Sequence, residues 1–155
     1  MIDRITSGRT DLVFDFVGGG QPATFCDAGG ASLISTCSYY GDVSAVRFLL
    51  SQGERLESLG PNLGLDSAAF HGHWQLCEFL LESGADANYA DPNTGETGLH
   101  AALRAGPGGW HRVIERLVAI GVLREYRRAR GEGGEQKFEI ALLYRPGLGI
   151  KAFGV

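Results

Sequence analysis

An internal repeat is the feature that most constrains this chain of 155 residues. Two blocks, 32–53 and 63–84, align without a gap, so that Gly41 and Gly53 in the first match Gly72 and Gly84 in the second. One unit of this size cannot bury its apolar face alone. Successive copies must therefore stack side by side into an elongated array.

Further copies extend the array in both directions. A third copy begins at Thr97, with Gly106 in the place of Gly72, and a partial copy opens the chain, with Gly8 in the place of Gly41. We therefore predict a repeat domain over 1–121, followed by a basic tail at 122–155. The domain divides into an N-terminal half repeat and three repeats, at 1–21, 22–54, 55–87 and 88–121.

Each copy predicts a helix, a tight turn and a second helix. Glycine at the turn ends the first helix in a left-handed conformation, in which a Cβ atom is costly. The second helix carries an apolar stripe at positions i, i+1, i+4 and i+5, which indicates one buried face. The stripe residues are Ala45, Val46, Leu49 and Leu50, then Leu76, Cys77, Leu80 and Leu81. A later glycine, at Gly53, Gly84 or Gly121, ends this helix.

These residues resemble the ankyrin repeat. Thr97-Gly98-Leu99-His100 followed by Ala102 is close to the family's T-P-L-H-x-A helix start. Residues 84–88 read G-A-D-A-N, close to the family's G-A-D-V-N exit, and 91–96 look like a β-turn finger. The resemblance covers about residues 5–122 and implies an all-α ankyrin-repeat helical solenoid whose repeats are joined by such fingers.

The helix starts depart from the family pattern in two copies. Ser32 opens one of them and has a hydroxyl that caps a helix, whereas Leu63 opens the next and has no capping group. We expect the middle helix to begin less firmly. At the family's structural position, Asp66 and His100 are expected to form hydrogen bonds and to take no part in acid–base chemistry.

Charge is distributed unevenly along the chain. Residues 1–121 hold seven Arg, no Lys and fourteen Asp or Glu, whereas 122–155 hold seven basic residues and four Glu. An acidic body repels phosphate backbones, so we expect no nucleic-acid partner. It favours a partner protein with a basic patch. The basic run 124–130 is interpreted as neutralising the acidic stack end.

We expect a cytoplasmic monomer that works without a cofactor. No apolar run approaches the roughly 20 residues of a membrane span, and the first residues contain no apolar signal segment. Cys26, Cys37 and Cys77 have no C-x-x-C spacing, which suits a reducing compartment.

The secondary structure of the segment 138–147 is ambiguous, because short apolar runs suit either a degenerate repeat helix or a strand.

A row of positions before each turn glycine forms the candidate partner-binding surface. In ankyrin proteins the corresponding positions lie on the concave face, and tyrosine and arginine are enriched at binding hot spots. The alternative is that Tyr39 and Phe70 only pack on each other between repeats. Finger tips give a second candidate surface. The predicted partner-binding residues are Tyr39, Tyr40, Leu59, Asn62, Phe70, His71, Asn93 and Arg104.

We predict that the chain is a protein-interaction module and not an enzyme. His71, His73 and Cys77 have a spacing that suits zinc, but Cys77 lies in the apolar stripe and is interpreted as a core residue. A regulatory or inhibitory module, such as an immunity protein, an antitoxin or an enzyme-regulating subunit, is the alternative. A metal-dependent enzyme using His71 and His73 is a third hypothesis.

Overall fold

The computed structural model describes residues 1–104, 140–144 and 150–154, the last two by their backbone alone. Within 1–104, seven α-helices alternate with short turns. They are α1 Ile2–Thr6, α2 Val13–Gly18, α3 Leu33–Tyr39, α4 Val43–Ser51, α5 Leu65–Phe70, α6 Trp74–Glu82 and α7 Gly98–Arg104. The all-α prediction is confirmed for these residues. The predicted turn glycines Gly106 and Gly121 and the basic run 124–130 lie outside the described residues.

The helices form two layers. Inner helices α1, α3, α5 and α7 pack in sequence against one another, and outer helices α2, α4 and α6 do the same. This is the arrangement that stacked helix pairs require, because each repeat then contacts only its neighbours. Ala68 and Ala69 of α5 are fully buried, as are Ala101 and Ala102 of α7. Their small side chains let these two inner helices approach closely.

The turn glycines adopt the predicted backbone conformation. Both Gly41 and Gly72 have φ of +72°, in the left-handed region that disfavours residues with a Cβ atom. Gly53 and Gly84, which end the outer helices, also have positive φ. Helix length in each repeat is therefore set by where glycine occurs.

The apolar stripes of the outer helices face the core, as predicted. Their first three members in each copy have no solvent exposure, and the fourth is partly buried. Cys77 is one of the fully buried members, so its role in packing is confirmed. Burying a leucine-sized side chain stabilises a protein by about 1.5–3 kcal/mol, so these stripes hold the two layers together.

Helix starts differ between copies in the expected sense. The hydroxyl of Ser32 accepts a hydrogen bond from the N–H of Ser35, at 3.2 Å, and caps α3. Helix α5 instead starts from Gly64, which supplies no side-chain cap. Before it, Asn62 and Leu63 have φ of +51° and +57°, which is costly for a residue with a side chain.

The connections between repeats have three forms. Residues 26–32 make a narrow loop closed by a bridge between Cys26 and Ser32, and 91–95 make the expected tight turn. Between them, the predicted finger consists of a 3-10 helix, Leu56–Leu59, followed by a turn over Pro61–Gly64 in which Asn62 and Leu63 are left-handed. The buried Glu54 stabilises the first of these, since its Oε1 accepts hydrogen bonds from the Arg55 N–H and the Ser58 hydroxyl.

The C-terminal region contains a β-hairpin. Strand β1 (Ile140–Tyr144) pairs antiparallel with β2 (Ile150–Gly154), with Ile140 opposite Gly154 and Tyr144 opposite Ile150. Of the two alternatives for 138–147, the described residues therefore adopt the strand. Pairing within one hairpin satisfies backbone groups that a single strand would leave open.

Side chains link the first two inner helices, α1 and α3, to the next repeat at one equivalent carbonyl. The hydroxyl of Tyr40 donates a hydrogen bond to the carbonyl of Thr6, at 3.2 Å, and its ring covers Gly8. In the following copy, Nε2 of His73 donates to the carbonyl of Tyr39, at 2.8 Å. Each bond satisfies a backbone oxygen near the end of a helix, where no intrahelical donor is available.

We predict that Gly41→Ala destabilises the protein more than Gly53→Ala. Both glycines have positive φ, which alone costs an alanine about 1–2 kcal/mol. At Gly41 the added Cβ would also lie 2.5 Å from Nδ1 of His73, whereas nothing lies within 4 Å at Gly53. Urea unfolding of both variants measures the difference. Equal losses would show that the His73 contact adds nothing to the stack.

Candidate partner-binding surface

The ends of the inner helices place the candidate binding residues on one surface. Tyr39, Phe70 and Arg104 are the last residues of α3, α5 and α7. Tyr40 and His71 follow the first two helices and precede the turn glycines. We call these five residues the aromatic row.

Contacts between rings make the row continuous. Across the repeat boundary, the ring of Tyr39 meets His71 at a centroid distance of 4.8 Å. His71 in turn contacts Phe70 at 5.3 Å, and the Arg104 guanidinium lies 5.3 Å above the Phe70 ring. The alternative interpretation paired Tyr39 with Phe70 across this boundary. The structure places His71 there because Phe70 turns toward the third repeat.

The row is exposed although it is internally packed. Tyr39 is 56% exposed, Tyr40 42% and Phe70 38%. Over the residues whose side chains are described, the only other large apolar side chains this exposed are Met1 and Phe14. Exposed aromatic groups are thus concentrated along the row. A ring can pack against the next repeat with one of its surfaces and expose another to a partner, so the two roles are compatible.

The candidate residues in the fingers have different surroundings. Asn62 forms a reciprocal pair with the backbone of Asp86: its amide donates to the carbonyl at 2.8 Å and accepts from the N–H at 2.7 Å. Leu59 is half-buried against the core and so has a structural purpose that the sequence did not reveal. Asn93 is exposed in the turn after Asp91.

Two cavities line the groove between the inner helices and the fingers. The first has a volume of about 430 Å³ and is lined by Tyr39, Tyr40 and Leu59 together with serine and threonine hydroxyls. The second, of about 340 Å³, lies one repeat further along. It is bounded by α5, α7 and the finger 91–96, and Phe70 and Arg104 are among the residues that line it.

The second cavity contains carboxylates that were not predicted as site residues. Asp66, Asp91 and Glu96 all line it. Burial, followed by the charges of Asp91 and Glu96, raises the pKa of Asp66 above its usual value. The N–H groups of Thr94 and Asn93 hold the pKa of Asp91 below its usual value. No sequence signal joins Asp66 to the finger, since the whole of α6 separates it from Asp91 along the chain.

Only one of the two expected hydrogen-bonding residues behaves as expected. Nδ1 of His100 accepts from the Thr97 N–H at 3.2 Å and lies 2.8 Å from the Thr97 hydroxyl. By contrast, Oδ1 of Asp66 is fully buried and has no hydrogen-bond partner within the described part of the chain. The expectation for Asp66 was therefore wrong for this oxygen.

The zinc-like spacing does not form a common site. Cys77 is buried in the core, and burial raises the pKa of its thiol to about 12, so it carries no thiolate at neutral pH. The His71 and His73 rings stack at 5.8 Å, and His73 already uses Nε2 at the Tyr39 carbonyl. Among residues 1–104, no group of three or more metal-ligating side chains is arranged to hold an ion.

The comparisons with known proteins agree with the fold. A family model described as ankyrin repeats (many copies) matches residues 65–118. Residues 65–118 are therefore similar to ankyrin repeats. Such repeats generally act as protein–protein interaction modules. No helix among the described residues is long and apolar enough to cross a membrane.

A mouse protein, the serine/threonine-protein kinase TNNI3K, is 33% identical over 103 residues. The match includes 62% of this chain but only 12% of the kinase. The kinase activity in its name is therefore a statement about that protein. For this chain, the similarity supports only the presence of the repeat. The period and the helix boundaries are read from the structure.

We predict that Asp66→Asn stabilises the protein at pH 7. Because the folded state raises the pKa of this carboxyl, the Asp66 charge destabilises the fold above that pKa. The cost disappears as pH falls below the unfolded value of about 4. Urea unfolding at several pH values should show a gain that shrinks on acidification.

Asp91→Asn is the matched control for this measurement. The pKa of Asp91 is lowered in the folded state, so its charge stabilises the protein at neutral pH and that stabilisation is lost on acidification. The two variants should therefore change stability in opposite directions at pH 7. A destabilising Asp66→Asn at pH 7 would contradict the assignment.

Proposed function

We propose that this ankyrin-repeat chain binds another protein through the aromatic row and the adjoining groove, and that it catalyses no reaction. The observation that carries the proposal is the row itself. Its rings are partly exposed, contact one another in series and extend across the ends of α3 and α5, and Arg104 continues the row at the end of α7.

The chemistry of the row suits a protein partner. Aromatic side chains offer a large contact area and lose little conformational entropy when they are immobilised. The rings of the row are already held by their neighbours, so part of their conformational entropy is lost on folding and is not lost again on binding. Exposed apolar clusters on a folded surface commonly mark interaction sites.

The residues of the surface have different roles in this proposal. Tyr40 supports the N-terminal half repeat through Thr6, and Asn62 and Leu59 shape the groove from the finger side. Tyr39, Phe70 and His71 provide direct contacts, and the exposed Asn93 adds a contact from the next finger. Arg104 lies at the C-terminal end of the row, with its guanidinium over the ring of Phe70.

The charge of the chain and the state of its cysteines bear on the kind of partner and on the compartment. Residues 1–104 carry thirteen Asp or Glu and five Arg, an excess that favours a basic patch on the partner and disfavours nucleic acid. All three cysteines are unpaired, which is consistent with action in the reducing cytoplasm. We propose that the chain acts as a monomer, with the row left free for the partner.

We predict that Phe70→Ala weakens capture of the partner at least about tenfold, whereas Phe14→Ala does not. The two phenylalanines are similarly exposed, at 38% and 40%, but Phe14 lies on outer helix α2. Loss of an aromatic hot spot commonly costs about 2 kcal/mol or more. Affinity capture from a lysate, followed by mass spectrometry and titration of the captured protein, measures the effect.

The capture experiment has clear alternative outcomes. Tyr39→Ala should reproduce the Phe70→Ala loss, since both side chains lie in the row. Circular dichroism of each variant checks that the helices remain. Equal capture by the Phe70→Ala and Phe14→Ala variants would place the binding surface elsewhere and contradict the proposal.

We also predict that added salt slows association more than it speeds dissociation. Long-range attraction between an acidic chain and a basic patch raises the encounter rate, and ions screen it. Stopped-flow or surface-based kinetics with the captured partner, at several salt concentrations, measures both rates. An association rate independent of salt would rule out the basic patch.

A further inference from the structure

We propose that the cavity bounded by α3, the loop 26–32 and the finger 56–64 binds the carboxamide group of a glutamine side chain on the partner. This cavity, the hydroxyl cavity, has a volume of about 430 Å³. Clefts that bind small ligands commonly measure about 300–1,000 Å³. The inference rests on the proposed function, because it assumes that a protein occupies the groove. It adds the chemical identity of one group on that protein.

Two buried hydroxyl groups without a hydrogen-bond partner are the first argument. Thr36 and Ser38 of α3 both line the cavity and are only 9% and 6% exposed. Within the described part of the chain, neither side-chain hydroxyl takes part in a hydrogen bond. Buried polar groups are nearly always hydrogen-bonded, so two such groups in one helix indicate a partner from outside the chain.

These hydroxyl groups open into the cavity and not into the core. Among the described residues that are not themselves exposed, Oδ1 of Asp66 is the one fully enclosed polar side-chain atom without a partner. The oxygens of Thr36 and Ser38 therefore keep contact with solvent, and the cavity is the space that both residues line. A group that enters the cavity must replace the hydrogen bonds that solvent offers there.

The hydroxyl groups around the cavity call for a ligand that both donates and accepts hydrogen bonds. The hydroxyls of Ser35 and Tyr40 already donate to backbone carbonyls, at 2.8 and 3.2 Å, so their oxygens remain as acceptors. Those of Thr36 and Ser38 are free to donate and to accept. A carboxamide matches this set, because its oxygen accepts and its NH₂ group donates twice. Glutamine has a longer side chain than asparagine and so reaches the nearly buried hydroxyls more readily.

Charged and apolar groups fit the cavity less well. Asp27 is the only charged residue among the described residues that line it, and its Oδ1 already accepts from the N–H groups of Gly29 and Ala31. A cation would therefore meet a carboxylate oxygen that is engaged, and an anion would meet no basic side chain. An apolar side chain would fill the space but would cover the Thr36 and Ser38 hydroxyls without pairing them, which is unfavourable.

Comparison with the next repeat shows that the fold does not require these hydroxyl groups. In the alignment of the two copies, Ser38 corresponds to Ala69. Ala69 is fully buried at the equivalent place in α5, so packing between the inner helices is satisfied by a methyl group. The hydroxyl at position 38 has no structural task of this kind and is available to a ligand.

Titration with three small probes tests this inference without the partner. Nuclear magnetic resonance spectra of the ¹⁵N-labelled full chain would be recorded with N-acetyl-glutamine methylamide, and separately with the methionine and glutamate analogues. The probes have the same backbone and similar lengths, so only the end of the side chain differs. We expect saturable shifts of the Ser38 and Gly64 amide signals with the glutamine probe. The other two probes should bind at least about fivefold more weakly, the difference expected for one uncharged hydrogen bond.

The probe titration has two outcomes that would overturn the proposal. One is equal binding of the glutamine and methionine probes, which would show that the hydroxyl groups are not used. The other is the absence of any shift at the solubility limit of the glutamine probe.

Variants that remove one hydroxyl group locate the site. Ser38→Ala and Thr36→Val change the side-chain shape little, and each should weaken the glutamine probe about three- to tenfold. The methionine probe should bind the same variants more tightly, because it no longer covers an unpaired hydroxyl. Damage to the fold would weaken both probes, so this change of preference separates a binding role from a structural one.

Ser44→Ala is the matched control for these variants. It removes a serine hydroxyl from the exposed side of outer helix α4, away from the hydroxyl cavity. Equal weakening of the glutamine probe by Ser38→Ala and Ser44→Ala would contradict a specific site. Circular dichroism of each variant checks that the helices remain.

The outcomes for the hydroxyl cavity and for the aromatic row are separable. If Phe70→Ala loses the partner and Phe14→Ala keeps it, but the glutamine probe binds no better than the methionine probe, the row binds a protein and the cavity inference fails. If the glutamine probe binds as expected but capture does not depend on Phe70, the cavity inference is correct and the proposed binding surface is wrong.

Discussion

The packing of each turn against the next repeat is the constraint on which the rest of this structure depends. Gly41 must be left-handed to end α3, and the absence of a Cβ atom also leaves room for the ring of His73. His73 then donates its hydrogen bond to the Tyr39 carbonyl. Gly41 thus ends a helix and leaves space for the His73 ring, which aligns the next repeat with this one. Tyr40 performs the corresponding task above Gly8 with a different chemical group.

This constraint also explains why the candidate binding residues lie together. A helix that stops at a fixed glycine presents the residues just before it at the same edge of the stack in every repeat. Tyr39 and Phe70 are consequently aligned although their side chains differ, and Arg104 ends α7 at the equivalent position. The same alignment lets a side chain from one repeat influence the site of the next, as His71 does when it packs against Tyr39. Structural and binding roles are therefore shared within the row.

The fold was largely predictable from the sequence, because it follows from local rules repeated along the chain. Glycine positions predicted the turns, the apolar stripes predicted the buried faces, and the absence of a cap at Leu63 predicted the weak start of α5. The site was less predictable, because it depends on contacts between residues far apart in sequence. Asn62 binds the backbone of Asp86 in the following loop, which no local pattern reveals. The C-terminal strand was ambiguous, since a short apolar run suits either structure.

Asp66 is the residue at which local and global requirements conflict. Stability would be served by a serine there, as in the preceding repeat, whose hydroxyl finds a partner in its own helix turn. The chain instead has a carboxylate with an unsatisfied oxygen. It lies in the first turn of α5, which has no side-chain cap, and close to Asp91 and Glu96. Natural proteins tolerate such local violations mainly where function requires them. The cost of the Asp66 charge has a physical cause in partial burial, an oxygen without a hydrogen-bond partner and two neighbouring acids, and a substitution that removes the charge should remove that cost.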